Sequence, residues 1–387
     1  VRQSARAERY RQAVADLLRA GSAYYCDCTR ADVEARASER GTPGYDGHCR
    51  DRRVPPGPAA AVRFRVPAHG ATAFDDVVRG EVSFDHANLE DFVIQRADGT
   101  ATIFLPNAVD DVDMGITHVI RGEDLINVTP KVLLVREALG HTERPIFAHL
   151  PMLVNERRQK LSKRRDDVAV EEFRERGYLA EAMRNYLAVL GWGPADGVEI
   201  RPIEEIVALF RLDHVVRSPA FFDLRKLDHF NAEYIRRLDG AAFVEQARPW
   251  LTRGTPWPPP AFDPAAFERL APLVQERVTT LGEVPRWVDF VFLDEPDTDA
   301  AAWVRVAAAP FAAALLAAAA EAYAGAPEWE AAALHALTAA VGEGLGLKLK
   351  KAQEPIRVAV TGRTVGPPLF ESLEVLGRDR TLARLHR

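Results

Sequence analysis

Residues 115–140 read GITHVIRGEDLINVTPKVLLVREALG. An apolar segment, predicted to be a buried strand, runs into the charged residues Arg121, Glu123 and Asp124, and a helix is then predicted to start at a Thr129 cap. A strand followed by a helix, with polar side chains at the strand's carboxyl end, is typical of an open parallel sheet that binds ligands at those ends. The stretch therefore predicts an α/β fold.

Short strands and one amphipathic helix are predicted upstream of this stretch. Residues 5–22 carry apolar side chains at helical spacing. Alternating patterns predict strands over 61–66, 75–85 and 91–96, which we expect to form one small sheet. The apolar segment 102–111 is predicted to be a further buried strand.

Downstream of about residue 165 the hydrophobic pattern becomes helical. A Pro-rich segment over 255–264 is predicted to be a linker to a last helical block, which contains the Ala-rich residues 301–324. No internal repeat is found in the sequence.

Composition limits the class of protein. The chain has 387 residues, enough for two to three domains, and its 47% hydrophobic and 27% charged residues are typical of a globular protein. Its longest uncharged stretch, residues 306–320, is shorter than the about 20 residues that a membrane-spanning helix needs. The first residues resemble no secretory signal, so we expect no membrane association. The net charge of −6 neither requires nor excludes a nucleic-acid partner.

The three cysteines, Cys26, Cys28 and Cys49, lie close together in the sequence. So low and odd a count excludes a disulfide framework and points to a reducing cytoplasm. Their clustering suggests that they share a ligand.

The strongest local motif is KLSKR, residues 160–164. Lys160 and Lys163, on either side of Ser162, can place two ammonium groups on a triphosphate and neutralise the charge that develops as pyrophosphate leaves. The alternative for such a short motif is a solvated basic turn.

KLSKR resembles the KMSKS signature of class I aminoacyl-tRNA synthetases, in the form found in glutamyl-tRNA synthetases. The resemblance to the bacterial enzymes covers residues 2 to about 385 in order. It rests on RQSARAERY, VDDVDMGITHVIRGEDLINVTPKVLLVREALG, FAHLPMLVNERRQKLSKR, GYLAEAMRNYLAVLGW, PAFFDLRKLDHFNAEYIR and PIRVAVTGRTVGPPLFESLEVLGRDR.

The resemblance implies an α/β fold followed by an all-α part. Residues 5–95 would form a small α+β acceptor-stem-binding insertion, and 96–155 the second half of a class I Rossmann catalytic domain. A connecting helical domain with the KLSKR loop would occupy 156–240, and an all-helical anticodon-binding region 241–387.

The family also carries an N-terminal Rossmann half with a HIGH signature, and no HxGH sequence occurs in this chain. The resemblance therefore implies a chain that lacks the HIGH half and is inactive without it.

Family positions also imply site residues. Arg121 would pair with the side-chain carboxylate of glutamate, because a planar guanidinium suits a carboxylate and disfavours an amide. The alternative is a structural ion pair with Asp110 or Asp111. Glu123 and Asp124 would contact ATP together with Lys163, and Lys160, Ser162 and Lys163 would be catalytic.

One departure from the family lies upstream of Arg121. Ile103 and Phe104 occupy the positions where the family usually has Tyr-Asn against the amino acid, and neither supplies a polar group. Asn107, three residues further on, is a candidate replacement for binding the amino-acid substrate.

The cysteine cluster resembles the zinc site of some bacterial glutamyl-tRNA synthetases. The pattern CxC followed by YxxxC would supply Cys26, Cys28, Tyr45 and Cys49 as a closed tetrahedral shell. His48 is a rival fourth ligand, and three reduced thiols without metal are the alternative.

The tail from residue 348 to 387 contains nine Lys or Arg against four acids, in a chain that is acidic overall. Such asymmetry suits contacts with a phosphate backbone, although a solvated helical face is equally consistent with charge alone.

The sequence therefore predicts a bacterial-type glutamate–tRNA ligase of the cytoplasm, a monomer. It would use ATP with Mg²⁺ and a structural Zn²⁺, with L-glutamate and tRNA(Glu) as its other partners. One alternative is an enzyme like the glutamyl-queuosine tRNA(Asp) synthetases, which share the cysteine pattern but lack an anticodon domain. A second is a tRNA-binding protein without catalysis.

Overall fold

The computed structural model describes residues 1–161 and 169–386. These residues form two compact units. The first contains Val1–Lys160, Val189–Glu199 and Glu204–Phe222, and the second contains Leu161–Ala188, Ile200–Ile203 and the chain from Asp223 onward.

The first unit is built from four helices and nine strands among the described residues. The helices are α1 (Ala7–Arg19), α2 (Arg30–Arg40), α3 (Phe104–Asp113) and α4 (Thr129–Ala138). The strands are β1 (Ala23–Cys26), β2 (Ala61–Phe64), β3 (Ala71–Asp76), β4 (Gly80–Asp85), β5 (Val93–Gln95), β6 (His118–Gly122), β7 (Ile146–Leu150), β8 (Leu153–Val154) and β9 (Ala220–Phe221).

The strands predicted to form one small sheet divide between two. β1, β2 and β5 form an antiparallel sheet in that order, whereas the β3–β4 hairpin joins a four-stranded sheet ordered β4-β3-β7-β6. In that sheet β7 pairs in parallel with both β3 and β6, as the strand–helix order of the sequence predicts. The expectation of one upstream sheet is wrong, because the hairpin finds its partner about 70 residues later in the chain.

Residues 102–111, predicted to be a strand, belong mainly to helix α3. The buried side chains Leu105, Ala108 and Val109 follow the spacing of a helix face rather than that of a strand. Pro106 lies in the first turn of α3, where its missing N–H removes no intrahelical hydrogen bond.

Helix α4 is buried against apolar side chains of both sheets. Leu133 packs with Phe74 and Phe147 of the parallel sheet, while Val132 and Val135 belong to the larger core that includes α1, α3 and the antiparallel sheet. This packing explains why the helix is apolar on most of its faces. The predicted helix over 5–22 is confirmed as α1, which buries its predicted stripe.

From residue 170 onward the described elements are helical except for β9. They are α5 (Val170–Glu175), α6 (Ala180–Ala188), α7 (Ile203–Leu209), α8 (Leu224–Arg237), α9 (Gly240–Thr252), α10 (Pro264–Gln275), α11 (Val284–Phe292), α12 (Ala300–Ala307), α13 (Ala312–Ala324), α14 (Ala331–Gly344), α15 (Leu349–Thr361), α16 (Leu369–Leu376) and α17 (Arg378–Leu385).

The second unit contains two main cores. One combines side chains of α6 and α8 with those of α9, α10 and α11, and the other is formed by α13 to α17. The Pro-rich segment 255–264 does not act as a separating linker, because Trp257 is buried in the first of these cores and packs on Phe292 at 5.1 Å between ring centroids.

Membrane-spanning potential was compared across the described helices. No single helix reaches the length and apolarity needed to cross a bilayer. The bent pair α12 and α13, with 94° between the two helices, passes only when both are taken together.

Gly177 is a backbone position that the second unit requires to be glycine. Its φ is +88°, and a Cβ atom there would lie 2.3 Å from the main-chain nitrogen of Gly282. The Leu281 N–H donates to the Gly177 carbonyl at 3.0 Å, so the two segments are held at this close approach.

We predict that Gly177→Ala lowers the free energy of unfolding by at least about 2 kcal/mol, because it combines an unfavourable φ with a main-chain clash. Chemical denaturation followed by circular dichroism measures the change. Gly344→Ala is the matched control, since Gly344 ends a helix in open space and should be neutral or slightly stabilised. Equal stability of the two variants would contradict the proposed close approach.

Candidate active site and cysteine cluster

The predicted site residues of the first unit lie on a few neighbouring elements. Arg121 is on β6, Glu123 and Asp124 begin the short 3-10 helix that follows it, and Asn107 is on α3. Lys160 closes a tight hairpin by bridging to Val154. Ser162 and Lys163 lie outside the described residues, so the geometry of most of the KLSKR motif is not part of this description.

Arg121 is held by neutral groups rather than by a carboxylate. Its Nε donates to Nε2 of His149 at 3.2 Å, and its Nη2 donates to the Thr129 hydroxyl at 2.7 Å and to the Leu125 carbonyl at 3.4 Å. Within the described part of the chain, no carboxylate lies within ion-pair distance of Arg121. The side chain is partly buried, and this burial lowers its pKa.

His149 and Asp76 stand behind Arg121 and are both buried. Asp76 Oδ2 lies 2.6 Å from Nδ1 of His149 and also accepts the His149 main-chain N–H at 2.9 Å. Because a guanidinium can only donate, Nε2 must be the accepting nitrogen, and the proton therefore lies on Nδ1 and points to Asp76. Burial lowers the pKa of His149, which keeps the ring neutral.

Thr129 has a different role from the predicted helix cap. Helix α4 begins at Thr129, and its side chain makes no capping hydrogen bond. Instead the fully buried hydroxyl accepts from Arg121 and lies 3.1 Å from Nε2 of His149, to which it can donate.

The ion-pair alternative for Arg121 is not what the structure contains. Asp110 binds Arg6 at 2.7 Å and the Tyr10 hydroxyl at 2.7 Å. Asp111 influences Arg121 and Arg136 electrostatically without a hydrogen bond to Arg121 among the described residues, and burial raises the pKa of this carboxyl. Arg121 therefore keeps its charge available for a ligand.

Asn107 faces the same side of α3 as Ile103, one helical turn earlier, and Asp111, one turn later. Asp111 is the acid that Arg121 senses, so this face of α3 is directed towards the Arg121 region. Phe104 instead packs on Phe92 at 4.8 Å between ring centroids. Ile103 is 46% exposed.

Glu123 and Asp124 have different partners. Glu123 forms an ion pair with Arg79 and accepts the Met152 N–H at 3.0 Å, which ties the end of β6 to the segment after β7. Asp124 forms an ion pair with Lys160 at 2.8 Å between Oδ2 and Nζ, and both side chains are largely exposed. Two residues predicted to act on ATP are thus adjacent to each other.

Asp76 and His149 are the site residues that the sequence analysis missed. His149 is an ionisable residue within the apolar run AHLPMLV, and Asp76 precedes the turn of a predicted hairpin. A buried histidine needs a partner for each ring nitrogen, which was the available signal. The pairing of β3 with β7 is the part that no local pattern indicates.

The three cysteines meet at the end of β1, where their Sγ atoms all lie within 4.8 Å of one another. Cys28 and Cys49 are 3.3 Å apart at sulfur. Four ligands around Zn²⁺ at about 2.3 Å place sulfurs about 3.8 Å apart, so the cluster has the dimensions of a metal site. Burial raises the pKa of Cys28 to about 12.

The fourth position is occupied by Tyr45 rather than His48. The Tyr45 hydroxyl oxygen lies 3.7 Å from Cys26 Sγ and accepts the Cys49 main-chain N–H at 2.7 Å. His48 is exposed and is not one of the residues that converge on the cluster.

Two arginines contact the sulfurs from outside. Arg63 Nε donates to Cys26 at 3.3 Å, and Arg36 Nη2 donates to Cys28 at 3.1 Å. Although burial acts to raise it, the pKa of Cys26 is lowered because Arg63 donates to the sulfur. The donor set therefore fits a metal held by thiolates whose charge is balanced nearby.

The basic tail of the second unit is divided by its contacts. Five arginines bind groups inside the fold and are less available to a partner: Arg357 donates to the Pro367 carbonyl, Arg363 to Asp289, Arg378 to the Ala326 carbonyl, Arg380 to the Val291 carbonyl and Arg384 to the Val360 carbonyl. Lys348, Lys350 and Lys351 are exposed and line an open cavity of about 670 Å³. The positively charged surface is therefore narrower than the sequence predicted.

Comparisons with known proteins agree over the whole chain. Residues 1–229 match the family of class I tRNA synthetases (E and Q), catalytic domain, and residues 242–387 match an anticodon-binding domain. The first match begins at residue 1, so it does not support the predicted absence of the HIGH half. The anticodon-binding match disfavours the queuosine-enzyme alternative, which lacks such a domain.

Similar proteins share both length and name. The glutamate–tRNA ligase of Thermobifida fusca is 54% identical over 99% of this chain and 80% of its own length, and that of Frankia casuarinae is 55% identical over 100% and 82%. A crystal structure of the glutamate tRNA ligase from Elizabethkingia meningosepticum, in complex with its amino acid, superposes with a TM-score of 0.83 at 27% identity, covering all of this chain and 82% of that one. The chain belongs to the glutamate–tRNA ligase family.

Proposed function

We propose that this protein joins L-glutamate to tRNA(Glu) with consumption of ATP. The α-carboxylate of glutamate would attack the α-phosphorus of ATP to give glutamyl-adenylate and diphosphate. A ribose hydroxyl of the tRNA would then attack the activated carbonyl and release AMP. The observation that carries the proposal is Arg121, a partly buried guanidinium fixed by neutral acceptors and free of a protein carboxylate within the described residues.

The side-chain carboxylate of glutamate would bind at the Nη1 end of Arg121. The opposite edge, Nε and Nη2, already donates to His149 and Thr129. A carboxylate offers two acceptors to such a fork, whereas the amide of glutamine would direct N–H groups at a cation. Asn107, on the helix face directed towards this region, would add an amide contact to the amino acid.

ATP, which binds as its Mg²⁺ complex in this family, would lie near Glu123, Asp124 and the KLSKR loop. Asp124 holds the Lys160 ammonium group where the loop begins. Phosphate oxygens could replace the Asp124 carboxylate as the partner of Lys160, and Ser162 and Lys163 would contribute from the same loop. Their positive charge would stabilise the departing diphosphate.

The predicted division of the chain remains our proposal for tRNA binding. Residues 5–95 would contact the acceptor stem, 96–155 would complete the catalytic sheet, 156–240 would connect, and 241–387 would bind the anticodon arm. The exposed lysines at 348–351 support a phosphate contact in the last region.

We also propose that Cys26, Cys28, Cys49 and Tyr45 hold a structural Zn²⁺. The convergence of three sulfurs and a phenol oxygen supports a closed tetrahedral shell. Such a site would stabilise a segment whose local apolar core is small.

The protein produced from its native gene should charge tRNA(Glu) with glutamate and discriminate against glutamine, measured by acid-precipitable radiolabelled amino acid. Arg121→Lys should raise KM for glutamate at least about thirtyfold, because the ammonium group cannot make the planar paired contact. Arg19→Lys, a change on an exposed face of α1, is the control. Binding of tRNA(Glu) without any charging would favour the non-catalytic alternative, and an unaltered KM would refute the role given to Arg121.

Elemental analysis should find about one tightly bound Zn²⁺ per chain. Cys26→Ser should lose the metal and make the segment 5–95 sensitive to proteolysis, and Tyr45→Phe should weaken zinc retention against a chelator. His48→Asn should keep the metal. A metal-free native protein that is fully folded would leave three reduced thiols as the correct interpretation, and zinc loss in His48→Asn alone would exchange the fourth ligand.

Changing Lys348, Lys350 and Lys351 together to Gln should weaken tRNA binding and reduce the salt dependence by up to three phosphate contacts, at about 0.7–0.9 each. Filter binding at several salt concentrations measures both. The loss should be equal for tRNA(Glu) and for the same tRNA with a swapped anticodon. A loss confined to tRNA(Glu) would show instead that these lysines read bases.

A further inference from the structure

The groups that hold Arg121 form a fixed chain of hydrogen bonds with one direction. Asp76 Oδ1 accepts the main-chain N–H groups of Val78 at 3.0 Å and Arg79 at 2.8 Å, so the carboxylate is anchored before it reaches His149. Its other oxygen accepts the Nδ1 proton of His149. The imidazole then presents Nε2 to Arg121 and Thr129.

Aromatic packing restricts the imidazole further. The ring of His149 stacks on that of Phe147 with 13° between the planes and packs at a tilt on Phe74. His149 has no exposed surface, and neither has Thr129. The acceptors that face Arg121 therefore cannot rotate away without disturbing the core of the parallel sheet.

The interposed imidazole separates orientation from charge neutralisation. If Asp76 bonded Arg121 directly, the two would form an ion pair, and the guanidinium would have less to gain from a second carboxylate. A neutral imidazole and a hydroxyl fix the plane of the guanidinium without neutralising it. The full charge remains directed at whatever binds to Nη1.

We propose that Asp76, His149 and Thr129 are positioning residues that set the preference of this site for glutamate over glutamine. The inference rests on the proposed function, since it requires Arg121 to bind the side-chain carboxylate of the amino acid. The three residues act through Arg121 and do not touch the substrate.

The test compares Thr129→Val with Thr72→Val in the protein produced from its native gene. Both changes are nearly isosteric and remove a buried hydroxyl that bonds a histidine, because Thr72 Oγ1 lies 2.9 Å from Nε2 of His86 in the β3–β4 hairpin. Both should therefore lower thermal stability similarly. Only Thr129→Val should raise KM for glutamate, by about tenfold, with kcat within about twofold and a matching fall in the ratio of glutamate to glutamine charging.

A second pair of variants separates the two ends of the imidazole. His149→Gln places an amide oxygen near the Nε2 position and should retain most of the selectivity, whereas His149→Asn keeps a donor towards Asp76 but loses the acceptor for Arg121. Selectivity should therefore fall more in His149→Asn than in His149→Gln. An equal fall in both, together with an unchanged KM in Thr129→Val, would overturn the positioning role.

Failure of the proposed function has a different signature. If the unaltered protein shows no preference for glutamate, or if Arg121→Lys leaves KM unchanged, then Arg121 does not bind the carboxylate and the inference falls with it. If the unaltered protein discriminates and Arg121→Lys does not, while Thr129→Val behaves like Thr72→Val, only the positioning role is wrong.

Discussion

The buried hydrogen bond between Asp76 and His149 is the constraint on which the candidate active site depends. It joins the ends of two parallel strands, β3 and β7, and fixes which ring nitrogen carries the proton. Hydrogen bonds to charged groups contribute about 1.5–3 kcal/mol each when both partners are buried and satisfied. Arg121 inherits its orientation from this pair, and the parallel sheet inherits a rigid edge at which Glu123 and Arg79 also meet.

Charge is arranged differently at the other two candidate sites. Around the cysteines, Arg36 and Arg63 supply positive charge to sulfur, an arrangement that suits ligands which become anionic when they bind a metal. In the tail, most arginines are directed at carbonyl oxygens inside the fold, and the lysines remain outside. Arginine forms several directed bonds at once, whereas lysine is a mobile point charge that suits a phosphate backbone.

Local patterns predicted the elements with regular spacing and failed where distant segments pair. Helix α1 and the β6–α4 unit follow from apolar periodicity, and the cysteine cluster follows from spacing. Segment 102–111 was taken for a strand because Pro106 and a short apolar run obscured its helical period. The β3–β7 pairing and the Asp76–His149 bond depend on residues 73 positions apart, and no local rule specifies such a contact. The resemblance identified Arg121 but could not indicate what holds it.

A crystal structure with L-glutamate bound would test the central claim most directly. The account predicts that the side-chain carboxylate lies at Nη1 of Arg121, with Nε still bonded to His149, the Thr129 hydroxyl still on Nη2 and Asn107 facing the amino acid. A glutamate whose side-chain carboxylate binds elsewhere, or an Arg121 that leaves His149 to reach it, would contradict the account.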